Sequence, residues 1–216
     1  MILHNYLSNS GRDLIYEYIN SLPEAEKIDG YTVLQHMEKG EFDKILFKRW
    51  EKKVYEVYFQ KNNRVFYITV DKENIYICSI PVENRKIKQK KGCKYSTEAG
   101  KRIRKYVRQE VYLEGVVNMP FLQVNVEQEI QKQRENDPEF KKIWDESRAE
   151  YRLIGEMISL RKKKKITQKE LALLTGNKQQ VISRIERKES IPTIRAFSRI
   201  LDALGYELQI VKKKSV

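Results

Sequence analysis

The first forty residues place apolar side chains at the spacing of one helical face. In residues 12–22 the apolar positions fall three and four apart, and Pro23 opens a second run that stops at Gly40. This pattern predicts two helices joined by a short turn, which form a helical hairpin. The predicted inward positions are Leu14, Ile15, Tyr18, Ile19, Leu22, Ile28, Tyr31, Leu34 and Met37.

From Lys44 onward apolar and polar positions alternate, which is the period of a β-strand. Four such runs occur, and the turn signals KNN and DKEN separate the later ones. We therefore expect an antiparallel meander after the hairpin. Residues 96–112 return to helical spacing, with basic side chains on the outward face. The predicted strands are KILFKRW, KVYEVYFQ, RVFYITV and IYICSI.

A pair of short helices is predicted after Ile166. Thr167 is a good N-cap with Glu170 three residues later, and Gly176 ends the first helix. The second helix begins near Lys178. A small residue, a glycine turn and a branched apolar residue at this spacing predict a helix-turn-helix. The predicted inward residues are Leu171, Ala172, Leu174, Val181, Ile182 and Ile185.

Longer helical patterns flank this pair. A supporting helix precedes it, and Pro192 at the N1 position starts another helix that ends at Gly205. The last apolar run, YELQIV, predicts a terminal strand. The inward positions of the flanking helices are Tyr151, Ile154, Met157, Ile158, Ala196, Ile200, Leu201 and Leu204.

Composition excludes several classes of protein. Hydrophobic residues make up 40% of the 216 positions, which is enough for folded domains. The two cysteines, Cys78 and Cys93, form no CxxC pair, so no disulfide scaffold or zinc site is expected. With His4 and His36 as the only histidines, catalysis by imidazole is disfavoured. We predict no cofactor and no metal, and a soluble, cytoplasmic protein without a membrane segment.

The net charge of +13 is concentrated in two places. Residues 85–110 contain 11 Lys and Arg against 2 Asp and Glu, and residues 161–216 contain 15 against 5. A single charge run is usually a solvated surface. Two separate basic clusters in a chain of high pI favour a polyanionic partner instead.

Residues 150–211 resemble the Xre/Cro family of phage-repressor-like DNA-binding domains. With the upstream stretch NDPEFKKIWDESRAEYRLIGEMISLRKK and the downstream ALGYELQIVKK, they are similar, more narrowly, to HigA-type antitoxins. The resemblance implies that Gln179 and Gln180 read base edges in the major groove, and that Gln168 grips a phosphate. It also implies a structural ion pair between Arg161 and Glu186. The implied DNA-contacting residues are Gln168, Lys178, Gln179, Gln180, Ser183 and Arg184.

Residues 1–110 resemble the RelE superfamily of ribosome-dependent mRNA-cleaving toxins, and its HigB branch in particular. The opening SNSGRDLIYEYINSLPEAEK and the strand KKVYEVYF carry this likeness. It implies a cationic surface that holds mRNA in the ribosome and stabilises the charge that develops when a ribose 2′-OH attacks the adjacent phosphate. The implied catalytic residues are Arg64, Arg85, Lys86 and Lys88.

Three positions depart from the toxin pattern. Tyr58 stands where the family usually has arginine, Ser79 where histidine is frequent, and Pro81 where an aromatic residue is common. A salt bridge with Glu56 on the adjacent strand is the structural alternative to a catalytic role for Arg64. Whether the front domain cleaves RNA is therefore left open at this point.

The order of the two halves matches that of HigB and HigA, which are encoded side by side with the toxin first. The predicted architecture is an α+β RelE-like domain (1–110), with helical hairpin, curled antiparallel sheet and C-terminal helix, followed by an all-α helix-turn-helix domain (149–216). Residues 111–148 join them as an extended piece and a helix that packs on the front domain.

This architecture predicts a fused toxin–antitoxin protein. In it, an mRNA endoribonuclease is held inactive by an antitoxin that represses its own promoter. The alternative is a DNA-binding regulator whose RelE-like domain is catalytically dead and serves for interaction. The expected partners are operator DNA with an inverted repeat, a second copy in a homodimer, and the ribosome with its mRNA.

Overall fold

A computed structural model describes residues 1–51, 54–69, 71–78 and 121–212. The chain divides into two compact units. The front unit comprises Met1–Phe42 and Leu46–Asp145, and the back unit comprises Asp43–Ile45 and Glu146–Val216. Among the described residues, no helix combines the length and the apolar character that crossing a bilayer requires.

The predicted helical hairpin is confirmed. Helix α1 spans Leu14–Asn20, where the side chain of Asp13 caps the first backbone N–H groups, and α2 spans Glu24–Glu38. Gly40 follows α2 with a φ of +73°, a conformation that glycine adopts without strain. A side chain at Gly30 would lie 3.2 Å from Ile19, so this glycine allows α1 and α2 to approach closely.

A mixed sheet of six strands follows the order β2-β3-β4-β5-β1-β6. The predicted meander is confirmed, because β2 through β5 pair antiparallel in sequence order. The expectation of a wholly antiparallel sheet was wrong, since an unpredicted N-terminal strand, β1, pairs parallel with β5. The strands are β1 (Ile2–Tyr6), β2 (Leu46–Glu51), β3 (Val54–Phe59), β4 (Asn63–Thr69), β5 (Asn74–Cys78) and β6 (Phe121–Val124).

The core of the front unit lies where α1 and α2 meet the sheet, which they contact at β1 and β3. Helix α2 is buried all round, including its polar residues Glu26, Lys27 and Asp29. The helix predicted for residues 96–112 lies outside the described residues. Apolar residues buried in this core include Leu3, Ile15, Ile19, Ile28, Leu34, Met37, Val57, Phe59, Val65, Ile75 and Ile77.

The joining segment contributes a strand and a helix to the front unit, as expected. Strand β6 pairs antiparallel with β1, and helix α3 (Val126–Asn136) packs on α2. Helix α4 (Pro138–Lys163) follows, and its residues up to Asp145 belong to the front unit. A segment that reads as a connection in the sequence is therefore part of a folded unit.

The back unit is helical, as predicted. After α4 come α5 (Gln168–Leu174), α6 (Gln179–Glu186) and α7 (Ile194–Ala203). Three residues of the front half, Asp43–Ile45, belong to this unit: the Ser159 hydroxyl donates to Asp43 Oδ2 at 2.6 Å. The buried apolar residues are Ile154, Met157, Ile158, Leu171, Ala172, Ile182, Ile185, Phe197, Ile200, Leu201 and Leu204.

Several expectations for the back unit were wrong in detail. Leu174 and Val181 are 60% and 41% exposed, because each lies about a quarter turn or more from the buried stripe of its helix. Pro192 is not the first residue of α7, since Thr193 is the N-cap and its hydroxyl accepts from the N–H of Ala196. Residues 206–212 form no strand, because no other described strand of the chain pairs with them.

Candidate DNA-binding site

Helices α5 and α6 meet through a tight turn. Thr167 and Glu170 form the predicted capping box at the start of α5, in which each side chain bonds the other residue's backbone N–H. Gly176 ends the helix with a φ of +65°. Lys178 is the N-cap of α6 and makes no side-chain capping bond, and the N–H of Val181 donates to the carbonyl of Lys178.

The outward face of α6 carries the predicted base-reading residues. Gln179 and Gln180 are exposed in the first turn, and Ser183 and Arg184 follow on the same face at helical spacing. Ser183 is half-buried, and its hydroxyl accepts from Arg187 Nη2 at 2.8 Å. The opposite face of α6 is buried, so the helix is anchored by one side and presents amides, a hydroxyl and a guanidinium on the other.

A buried ion pair fixes α6 to the end of α4. Arg161 Nε and Nη2 lie 2.5 and 2.8 Å from the two carboxylate oxygens of Glu186, whose side chain is fully buried. The implied structural pair is therefore present. Arg161 Nη1 also donates to the carbonyl of Ile166 at 2.8 Å, in the loop before α5. One guanidinium thus holds three elements together.

The same carboxylate orients a predicted phosphate contact. Gln168 Nε2 donates to Glu186 Oε2 at 2.8 Å, which leaves the second N–H of this half-buried amide for another acceptor. Residue spacing alone does not reveal this bond, because Gln168 and Glu186 are 18 positions apart. The bond holds Gln168 at the N-terminus of α5.

Basic side chains surround this region of the back unit. Lys178 and Arg184 are exposed, and the first turn of α6 contains no acidic residue. Cations beside the positive end of a helix dipole create a surface that suits a phosphate backbone.

Burial, and next the charge of Arg161, lowers the pKa of Lys162 to about 8, and its amine donates to the carbonyl of Ile45.

The front unit places the predicted catalytic Arg64 against a buried carboxylate. Glu56 is 1% exposed; Arg64 Nη1 donates to its Oε1 at 2.7 Å, and the Tyr58 hydroxyl donates to its Oε2. Burial, and next the bond to Glu56, raises the pKa of Tyr58, so the hydroxyl stays protonated and cannot act as a base. The structural role foreseen for Arg64 is present.

The remaining predicted catalytic residues fall outside the part of the chain that the structure describes. Of the predicted catalytic residues, Arg64 on β4 is the one in the described part of the chain. A third of its side chain is exposed. Those outside the described residues are Arg85, Lys86 and Lys88, together with the departures Ser79 and Pro81.

Two helices joined through a glycine turn, with exposed amides on the second, define a helix-turn-helix DNA-binding protein. The helix-turn-helix family matches residues 157–211. An HTH-type transcriptional regulator from Haemophilus influenzae is 39% identical over 66 residues, which cover 31% of this chain and 67% of that relative. The chain belongs to the HTH-type transcriptional regulators. No solved structure matches it, and the family match does not reach residues 1–110.

Proposed function

We propose that this protein binds operator DNA in a sequence-specific manner and represses transcription of its own gene. The observation that carries the proposal is the outward face of α6, where Gln179, Gln180 and Arg184 project from a helix anchored by the Arg161–Glu186 pair. Paired amides can bond adenine bidentately, and arginine can bond guanine. Gln168 and Lys178 supply phosphate contacts, and the protein acts in the cytoplasm.

A homodimer fits this reading, because one recognition helix reads only a few base pairs. Two-fold pairing spaces two such helices by one turn of DNA, about 34 Å, and requires an inverted repeat. The segment 206–211 supports this proposal, since Tyr206, Leu208, Ile210 and Val211 are exposed apolar side chains. Such a segment gains partners by pairing with its copy in a second chain.

The test is DNA binding by the full-length protein to the region upstream of its own gene. Replacing Gln179 and Gln180 by alanine should weaken specific binding by about 1–3 kcal/mol per lost bidentate contact and relax base preference. Gln128→Ala, an exposed glutamine on α3 in the front unit, is the matched control. Equal affinity and preference in the double variant and the control would refute the assignment.

For the front unit we propose a RelE/HigB-like toxin domain, so that the whole chain is a toxin–antitoxin fusion. The observation in its favour is the partly exposed Arg64 on a central strand of the sheet, followed in sequence by the basic cluster of residues 85–110. The second candidate is a catalytically dead interaction domain. The bond network of Arg64, Glu56 and Tyr58 favours that candidate, because it ties the arginine to a structural role.

Induced expression of residues 1–145 distinguishes these two candidates. The fragment ends at 145 because β6 and α3 complete the front unit. Growth arrest with cleavage of translated mRNA, lost in a Lys86→Ala, Lys88→Ala version of equal abundance, supports a live toxin. A folded fragment that leaves growth and mRNA intact supports the dead domain. Arg64→Ala is unsuitable as the inactive control, because it also leaves the buried carboxylate of Glu56 without its ion-pair partner.

A further inference from the structure

The exposed face of α6 contains one apolar side chain among polar ones. Val181 is 41% exposed, and α6 lies wholly within the described residues, where its other exposed positions carry amides and a guanidinium. The buried apolar residues of this helix, Ile182 and Ile185, are 0% and 2% exposed. Val181 therefore presents its methyl groups at the surface that is proposed to bind DNA.

Helical geometry places Val181 beside the residues that are proposed to read bases. Successive residues of an α-helix turn by about 100°, so Val181 projects about 60° from Arg184 and about 100° from Gln180. The buried stripe of the helix lies about a quarter turn further round. Val181 thus borders the outward face of α6 on the side of Arg184.

The position of Val181 is fixed before a ligand binds. Its backbone N–H donates to the carbonyl of Lys178 at 2.9 Å, and the helix is held to the end of α4 by the ion pair of Arg161 and Glu186. A valine in a helix has one strongly preferred χ1 rotamer, so its two methyl groups point in a fixed direction. Binding at these methyl groups therefore costs little side-chain entropy.

The major groove of DNA offers one apolar group to such a side chain. The base edges present hydrogen-bond donors and acceptors there, and the apolar group among them is the C5-methyl of thymine. Contact between this methyl group and a valine removes apolar surface of both partners from water, which is favourable. A base without the methyl group leaves the valine against polar atoms or water.

We propose that Val181 contacts the C5-methyl group of a thymine in each operator half-site, a proposal that rests on the DNA binding proposed for α6. Neighbouring residues of a helix rise by about 1.5 Å and neighbouring base pairs by about 3.4 Å. The thymine therefore lies in the base pair that Gln180 reads or in the next one. An A·T pair suits both residues, because Gln180 can bond the adenine while Val181 contacts the thymine methyl group.

The test replaces thymine by deoxyuridine, which removes the methyl group and leaves base pairing unchanged. The probe is the duplex that full-length protein selects from random DNA, and the base preference lost in Gln180→Ala locates the base pair that this residue reads. Each thymine in or next to that pair is replaced in both half-sites. At one position the dissociation constant should rise about fourfold per half-site, and about fifteenfold for both, as expected for one methyl contact in each.

Val181→Ala tests whether the valine makes this contact. Because the residue is exposed and alanine is a good helix former, the variant should fold. It should bind the thymine duplex about as weakly as wild-type protein binds the deoxyuridine duplex, and the replacement should not weaken it further. Leu153→Ala on α4 is the matched control, since Leu153 is 40% exposed, and it should keep the full sensitivity to deoxyuridine.

Two results would overturn the thymine contact while DNA binding stands. One is wild-type affinity that no deoxyuridine in or next to the Gln180 pair weakens, or half-sites selected with no thymine there. The other is a Val181→Ala protein that keeps the full sensitivity, because another residue then contacts the methyl group. Failure of wild-type protein to select any duplex would instead refute the proposed DNA binding, so the two failures are distinguishable.

Discussion

Replacing Arg161, the cation of the buried ion pair, should destabilise the packing of the recognition helix α6 against the end of α4. In Arg161→Met, the carboxylate of Glu186 stays fully buried but loses two charge-assisted bonds, at 2.5 and 2.8 Å. The Ile166 carbonyl loses its donor as well. Gln168 alone remains on the carboxylate.

The cost follows from leaving a buried charge unpaired. Breaking one side of such a pair destabilises proteins by about 3–5 kcal/mol. The double variant Arg161→Met, Glu186→Met removes both charges and should cost markedly less, because no ion is left without a partner. Arg195→Met, an exposed arginine on α7, should change stability by no more than about 0.5 kcal/mol.

Hydrogen exchange read by mass spectrometry is the suitable assay, because the two units need not unfold together. A loss of about 3 kcal/mol should speed exchange in peptides covering α5 and α6 on the order of a hundredfold, while α1 and α2 serve as the internal reference. A single variant that speeds exchange less than tenfold, or a double variant as damaged as the single, would refute the reasoning.

Three further outcomes are expected. Gly176→Ala should destabilise the back unit by about 1–2 kcal/mol in urea unfolding, since its φ of +65° strains any side chain although no atom blocks it. The lowered pKa of Lys162 means that the unfolded state binds more protons above pH 8, so back-unit stability should rise from pH 8 toward 10.5; Lys162→Met should abolish that rise. Arg64→Ala should destabilise the front unit by about 3 kcal/mol in thermal unfolding, because it leaves the buried carboxylate of Glu56 without its cation. An unchanged melting temperature would contradict the pairing.

The helix-turn-helix is predictable from sequence because its signals are local. The Thr167 capping box, the turn at Gly176 and the amides after Lys178 each act within one or two helical turns. Amphipathic spacing alone misplaced Leu174 and Val181, because short helices bury a stripe too narrow to include every apolar residue.

The parts that sequence reasoning missed depend on distant partners. Strand β1 contains His4 and Asn5 among apolar residues, and its pairing with β5 and β6, each some seventy positions or more away, makes it a strand. The burial of the polar residue Lys27 is explained only by residues that are distant in sequence, since Asp137 lies 3.6 Å from its ammonium group. The terminal apolar run, residues 206–211, forms no strand, because no strand among the described residues pairs with it.

The outward face of α6 is proposed to read DNA sequence. The most direct measurement is selection of binding sites from random DNA by the full-length protein, beside the Gln179→Ala, Gln180→Ala variant. The wild-type protein should select an inverted repeat with half-sites one helical turn apart, and the variant should lose preference at the matching position in each half-site. Selection of the same sequence by both proteins would contradict it.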